Sequence, residues 1–167
     1  DLMIPGYDTA GVSRLRLWKA TAKNPVDMNL FSQGDYIRAA EENTNAEMIS
    51  KILYPPDNHT QGKSLRLRQQ YFLVSAALQN IIKTHLAKFG NLETLPDKAV
   101  IHINDTHPAL SVPELMRFLL DECGYEWDKA WSIVNKTIAY TNHTVMQEAL
   151  ECWSEELFKT RLPRIYQ

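Results

Sequence analysis

The stretch "KAVIHINDTHPAL", Lys98 to Leu110, decides the fold prediction because a run of apolar residues gives way abruptly to polar ones. Val100 and Ile103 belong to a segment that is typical of an interior strand. Four polar side chains, Asn104 to His107, then stand in a row before Pro108, which cannot continue a central strand. A structural turn needs one or two such side chains. Four in succession predict that something is bound where the strand ends.

A second polar cluster follows a second predicted strand. The segment "TIAYT" (137–141) is rich in strand-forming residues, and residues 142–144 follow it as "NHT". Two predicted helices lie between the strands, and a connection of that kind implies parallel strands with a right-handed crossover. Ligands bind outside the carboxyl ends of strands in open parallel sheets. We therefore expect the two clusters to be neighbours in space and to form a site.

The rest of the chain alternates helical, loop and strand patterns, without repeats or low-complexity segments. In the first third we expect a half-buried strand in 11–20 and helical segments in 31–53, whose polar middle (41–47) breaks or projects into solvent. A loop at 54–63 then leads into a long helix at 63–89 with a buried centre. Further helices are expected at 111–124, begun by a Ser111–Glu114 capping box and stopped by Gly124, at 126–136 and at 145–162.

The length predicts one domain, and the composition is ordinary and excludes several function classes. The 167 residues are 44% hydrophobic and 23% charged with a net charge of −2, so no basic stripe predicts nucleic-acid binding. No run of eighteen apolar residues predicts a membrane span. Cys123 and Cys152 fall in predicted helices, which argues against disulfides and for a reducing compartment. Because the chain opens at Asp1, we expect it to be a piece of a longer protein.

Asp105, His107 and His143 on one rim permit three interpretations. They could be structural, because Asn, Asp and Thr cap turns and a histidine can satisfy a buried carbonyl. They could bind a metal, since two imidazoles and a carboxylate are an ordinary ligand set, although no close His-His spacing supports that. They could recognise a neutral polyhydroxylated ligand such as a sugar, whose hydroxyl groups both donate and accept. Tyr54, beside a flexible loop, would then offer an aromatic face.

Six motifs are distributed along the whole chain: "LYPPDN", "GKSLRLRQQYF", "INDTHPAL", "PELMRFLLDE", "WDKAW" and "AYTNHTV". They resemble motifs of the glycogen/maltodextrin (α-glucan) phosphorylase family and occur in the same order. The resemblance implies a pyridoxal-phosphate-dependent glycosyltransferase with two Rossmann-like domains facing across a cleft (GT-B type). Such an enzyme transfers terminal α-1,4 glucosyl units to phosphate and gives α-glucose-1-phosphate with retention. Residues 1–167 would be a fragment of the N-terminal domain, in a cytoplasmic enzyme that forms a homodimer.

The resemblance also assigns substrate-binding residues. The loop that gates the cleft corresponds to 56–63, with Asp57 and Asn58 at its tip, and Tyr54 matches the aromatic that packs on an acceptor-side glucan ring. The polar stretch 31–45 resembles the tower helix of the dimer contact. The cleft residues implied in the two clusters are Asp105, Thr106 and His107, together with His143, which contacts the transferred glucosyl unit, and Thr144.

The chain also departs from the family pattern. Pro56 and Gln147 stand where Asn and Pro are usual, and Lys83 and Thr84 replace the Arg pair that binds effector phosphates in regulated enzymes. The cofactor lysine and the phosphate-binding residues would lie in the other domain, so no catalytic set is complete here and the fragment alone should be inactive. The alternatives from other classes are a non-catalytic carbohydrate-binding or scaffold module and a metal-dependent hydrolase.

Overall fold

A computed structural model describes the backbone of residues 1–167 and every side chain except that of Ala149. The chain divides into two compact units, Asp1–Leu53 and Tyr54–Gln167. Helices dominate both units, and each unit contains one two-stranded sheet, antiparallel in the first and parallel in the second. None of the described helices is long and apolar enough to cross a membrane. The architecture is that of a helix-rich α/β fragment.

The first unit begins with a hairpin of β1 (Leu2–Pro5) and β2 (Val12–Leu15), followed by helices α1 (Met28–Ser32) and α2 (Tyr36–Lys51). The prediction of a strand in 11–20 is confirmed, but the prediction that it is half-buried is wrong. Both strands are exposed along their whole length, because the hairpin has no covered face. Alternation in the sequence marks an apolar face, and it does not reveal whether another layer covers that face.

Helix α2 runs unbroken through the polar stretch 41–47, so the predicted break is wrong. The predicted projection into solvent is confirmed only in part, because Asn43, Ala46 and Glu47 are half-buried. Asp35 begins the helix by accepting a hydrogen bond from the Arg38 backbone N–H at 3.2 Å. Ala39 is its one buried residue within the described chain, whereas Ile37 is exposed despite its helical spacing.

The second unit is built on α3, a helix of 30 residues (Thr60–Phe89) that starts three residues before its predicted beginning. His59 caps its start, since the imidazole Nδ1 accepts a hydrogen bond from the Gly62 N–H at 2.9 Å. Gly90 ends it at φ +80°, a conformation that suits glycine. The predicted burial of its centre holds for one stripe only, which comprises Leu67, Val74, Leu78 and Ile82.

After the short helix α4 (Leu95–Lys98), strand β3 (Ile101–Asn104) pairs with β4 (Ile138–Thr141). The pair is parallel, as predicted, and its register places Asn104 opposite Thr141. Helix α5 (Ser111–Arg117), a π-helical segment (Phe118–Glu122) and α6 (Trp127–Thr137) form the connection. Apolar residues from α3, α5, the π segment and α6 make the core, which includes Leu67, Ile82, Leu115, Leu119, Ala130 and Val134.

The predicted capping box of α5 is wrong. The Ser111 hydroxyl donates to the Pro108 carbonyl at 2.6 Å, and Leu110 occupies the cap position. The Glu114 side chain points into the core, where hydroxyl groups of α3 and Arg117 engage its carboxylate, so it cannot reach back to the helix start. The predicted stop at Gly124 is confirmed, with φ +68°.

The single helix predicted over 145–162 is confirmed only in part. A 3₁₀ turn (Gln147–Ala149) comes first, and α7 (Glu155–Arg161) and α8 (Pro163–Tyr166) follow. Ser154 explains the interruption, because its side chain accepts a hydrogen bond from the Leu157 N–H at 3.3 Å and starts a new helix. The apolar spacing of 145–162 therefore spans two elements.

Candidate functional site

The parallel pair brings the two polar clusters together at the carboxyl ends of β3 and β4. Asn104 and Thr141 are register partners, and the Asp105 N–H continues the ladder by donating to the Thr141 carbonyl at 2.7 Å. This confirms the prediction that residues separated by two helices are neighbours in space. The rim of the sheet therefore presents amide, carboxylate, hydroxyl and imidazole groups side by side.

His143 is held on this rim by a hydrogen bond between its Nε2 atom and Asn104 Oδ1. Because an amide oxygen can only accept, Nε2–H must donate. In the neutral ring the other nitrogen, Nδ1, is then left as an acceptor. The side chain is exposed, so this acceptor can meet a hydroxyl group of a ligand.

His102 belongs to the same rim, and the sequence prediction missed it. Its Nε2 lies 2.5 Å from Thr141 Oγ1. Strand alternation carried the signal, because a residue two positions before Asn104 must lie on the same face of the sheet. The predicted cluster began at Asn104 only because contiguous polar residues begin there.

Two of the predicted site residues have positive backbone φ angles, which residues other than glycine rarely adopt. Asp105 has φ +70° and Tyr54 has φ +56°, and Asp8 in the first unit is the remaining non-glycine case among the described residues. Such positions cost about 1–3 kcal/mol each and tend to occur at functional sites. The Asp105 carboxylate accepts a hydrogen bond from the Thr106 N–H at 2.8 Å, which holds the turn in place.

The remaining rim residues shape the two turns. Thr106 accepts a hydrogen bond at its carbonyl from the Ala109 N–H at 3.0 Å, and His107 is half-buried beside it. The Thr144 N–H donates to Asn142 Oδ1 at 3.2 Å, which tightens the turn that carries His143. Thr144 thus has a structural task in addition to its predicted role in binding.

The loop residues form a separate group at the N-terminal end of α3. Tyr54 is 72% exposed, and Asp57 and Asn58 are exposed as well. The Tyr54 ring centroid lies 5.7 Å from the Cζ atom of Arg66, a cation–π distance. Tyr54 thus packs on an arginine that the sequence analysis did not single out.

Arg66 also forms an ion pair with Glu151 through Nη2, and the two side chains are only 20% and 18% exposed. The hydrogen bond that Arg66 donates to Glu151 raises the pKa of the guanidinium above its ordinary value, against the opposing effect of burial, and Asp57 adds to the rise. The helical spacing of α3 offered no signal for this pair, because Glu151 is 85 residues away along the chain.

The described residues do not suit a pyridoxal phosphate group or a metal ion. All ten lysines are exposed, so none offers the desolvated amine that forms a Schiff base readily. Among the described side chains, no group of three or more His, Cys, Asp or Glu residues is placed to hold a metal. The chemistry available on the rim is hydrogen bonding to neutral polar groups.

Comparison with known proteins assigns the family. The family model described as carbohydrate phosphorylase matches residues 1–167. The glycogen phosphorylase of Pasteurella multocida is 50% identical over the whole chain, and the brain form of glycogen phosphorylase from Homo sapiens is 51% identical over 98% of it. The muscle form from Ovis aries is 49% identical over the whole chain.

The chain spans only about a fifth of the length of these curated relatives, with coverage of 20% for the first two and 21% for the third. The match nevertheless extends over every element described above, including the loop, both strands and both polar clusters. The chain therefore belongs to the carbohydrate phosphorylase family.

Proposed function

We propose that the chain supplies part of the glucan-binding cleft of an α-1,4-glucan phosphorylase, as a fragment of its N-terminal domain. The observation that carries this proposal is the meeting of Asn104, Asp105, Thr141 and His143 on one rim. Such a set of amide, carboxylate, hydroxyl and imidazole groups offers both donors and acceptors, which suits sugar hydroxyl groups. The relatives, which are glycogen phosphorylases, support the substrate class.

The reaction would need groups from outside this chain. The parent would be a pyridoxal-phosphate enzyme of GT-B type, and the cofactor lysine and the phosphate-binding residues would belong to its other domain. Residues of this chain would bind and orient the sugar. The parent would be a cytoplasmic homodimer that acts on glucan and phosphate and releases α-glucose-1-phosphate, and the 167-residue chain alone would be inactive.

His143 would act by hydrogen bonding to the glucosyl unit that is transferred. A neutral imidazole avoids the desolvation cost of a fixed charge. If the bond strengthens as positive charge develops on the sugar ring, it favours the transition state over the ground state. Asn104 would fix the ring orientation, and the strained turn at Asp105 would keep the rim in place before the substrate arrives.

The test is His143→Asn in the full-length parent. Loss of one such hydrogen bond, about 1–3 kcal/mol, should lower kcat roughly tenfold to a hundredfold with little change in KM. The melting temperature, measured in parallel, should change little because the side chain is exposed. Full turnover would remove His143 from the reaction, and a large fall in melting temperature with normal turnover would make its role structural.

A further inference from the structure

His102 lies on the exposed face of the parallel pair, two positions before Asn104. Ile103, which stands between them, is buried on the opposite face, so the side chains of His102 and Asn104 point the same way. Their register partners on β4 are Ala139 and Thr141, which share that face. The polar rim of the proposed site therefore extends back along the sheet, and the added position carries an imidazole.

The imidazole of His102 bonds the end of the neighbouring strand instead of the residue opposite it, since Nε2 lies 2.5 Å from Thr141 Oγ1. Neighbouring strands are about 4.8 Å apart and each residue advances a strand by about 3.3 Å, so the two Cα atoms are about 8 Å apart across this diagonal. A side chain must reach well beyond its Cγ atom to cross that gap, and the imidazole does so with its outer nitrogen. Ala139, opposite His102, carries only a methyl group and leaves room for the ring to lean forward.

Thr141 is the residue from which the turn that carries His143 begins. Its carbonyl accepts a hydrogen bond from the Asp105 N–H at 2.7 Å, and its hydroxyl bonds His102. The backbone and the side chain of the last β4 residue are therefore both held from the neighbouring segment. Threonine is restricted at χ1, so holding its Oγ1 atom also restrains the backbone that leads into the turn.

Two side-chain hydrogen bonds thus cross between the segments in opposite directions. His102 on β3 bonds Thr141 at the end of β4, and His143 beyond β4 bonds Asn104 at the end of β3. The second bond orients the ring of His143 directly, and the first holds the point at which its turn leaves the sheet. A ring held by Asn104 alone could swing about that single bond, whereas the two bonds together define both its orientation and its place.

We propose that His102 is a positioning residue, which fixes through Thr141 the turn that presents His143 to the sugar. In this role it does not touch the substrate, and it limits the places that His143 can occupy before the sugar binds. Such restraint matters because a displacement of about 1 Å in an active site can cost about a hundredfold in rate. The inference rests on the proposed function for its effect on turnover. The restraint itself is a property of the contacts and can be measured without turnover.

The first test compares His102→Asn with His102→Gln in the full-length parent. A glutamine amide reaches about as far as the Nε2 atom of histidine, whereas an asparagine amide ends near the position of Nδ1, so only glutamine can still bond Thr141. We expect His102→Asn to lower kcat roughly fivefold with KM nearly unchanged, and His102→Gln to keep most of the turnover. Because positioning contributes no more than the contact it serves, His102→Asn should lower kcat no further in a chain that already carries His143→Asn.

The second test measures the restraint by amide hydrogen exchange in 142–146. Loss of one hydrogen bond should raise exchange there roughly threefold to tenfold in His102→Asn and in Thr141→Val, but not in His102→Gln. Thr137→Val is the matched control, because it removes a threonine hydroxyl that donates to the Ile133 carbonyl within α6 at 2.7 Å. It should lower the melting temperature and leave both kcat and exchange in 142–146 unchanged.

Normal turnover in His102→Asn would overturn the proposal, and so would equal losses in the asparagine and glutamine variants. A loss in His102→Asn that adds to that of His143→Asn would also contradict it, since the two residues would then act independently. Unchanged exchange in 142–146 would show that His102 does not restrain the turn. An unsubstituted parent without phosphorylase activity would refute the proposed function alone, and the exchange data would still decide on the restraint.

Discussion

Glu114 is the most deeply buried carboxylate of the second unit, and its replacement tests how α5 is held against α3. Its side chain is 2% exposed. Oε2 accepts hydrogen bonds from the Tyr71 hydroxyl at 2.8 Å and Arg117 Nε at 2.9 Å, and Oε1 accepts from the Ser75 hydroxyl at 2.9 Å and Arg117 Nη2 at 3.2 Å. Each oxygen therefore meets one guanidinium N–H and one hydroxyl.

Glu114→Gln keeps the shape of the side chain and removes its charge. Whichever way the amide turns, its NH₂ group must face one guanidinium N–H of Arg117, so two donors oppose each other. Losing one partner of a buried ion pair costs about 3–5 kcal/mol. Glu122 still bonds Arg117 Nη1 at 3.1 Å, so part of the charge stays compensated. We therefore expect a loss of about 3 kcal/mol in the free energy of unfolding.

The assay is urea unfolding of the chain, followed by tryptophan fluorescence, for the unsubstituted protein and the two variants Glu114→Gln and Glu93→Gln. The Glu93–Lys129 pair has side chains that are 57% and 47% exposed, so its loss should cost less than about 1 kcal/mol. If Glu114→Gln cost no more than Glu93→Gln, the buried network would not hold the two helices together, and the argument from its geometry would fail.

Two further predictions concern the same helix. Gly62→Ala should displace the loop that precedes α3, because the new Cβ atom would lie 1.7 Å from the Pro56 carbonyl oxygen. We expect about 1–3 kcal/mol of destabilisation and faster proteolytic cleavage of this loop. The control variant Gln61→Ala should change neither quantity. Burial, followed by the hydrogen bond to Glu114, raises the pKa of Tyr71 to about 12. The unfolded chain loses this proton near pH 10, so the stabilising contribution of Tyr71 is fully present below that pH and is lost as the pH rises toward about 12. Between these two pH values the free energy of unfolding of Tyr71→Phe should therefore fall less steeply than that of the unsubstituted protein. Equal slopes for the two proteins would contradict the assignment.

Much of the second unit could be predicted from the sequence, because its signals are local and agree with one another. The apolar run that ends at Asn104 and the strand that ends at Thr141 fixed the parallel pair, since their long helical connection permits little else. Gly124 and Gly90 mark helix ends that depend on one residue each. The meeting of the polar clusters followed from topology alone.

The sequence-based predictions failed where a long-range contact overrides a local pattern. Glu114 has the spacing of a capping residue, yet Tyr71 and Ser75 on another helix attract its carboxylate into the core. The ion pair between Arg66 and Glu151 could not be predicted either, because the residues around Arg66 carry no local pattern that indicates a partner 85 positions away. The hairpin in the first unit shows the converse case, in which the alternation is present and the covering layer is not.

The π-helical segment Phe118–Glu122 has a consequence for how the family can tolerate length changes. A π turn accommodates one residue more than an α turn, so it is equivalent to a single inserted residue that the helix has absorbed. Deleting one residue there would restore ordinary α pitch without breaking the helix. Because the wider turn takes up the extra residue, the flanking residues would keep their orientation around the helix axis. The return path to β4 would then be preserved, so a one-residue alignment gap is better placed in this segment than in the regular α turns on either side.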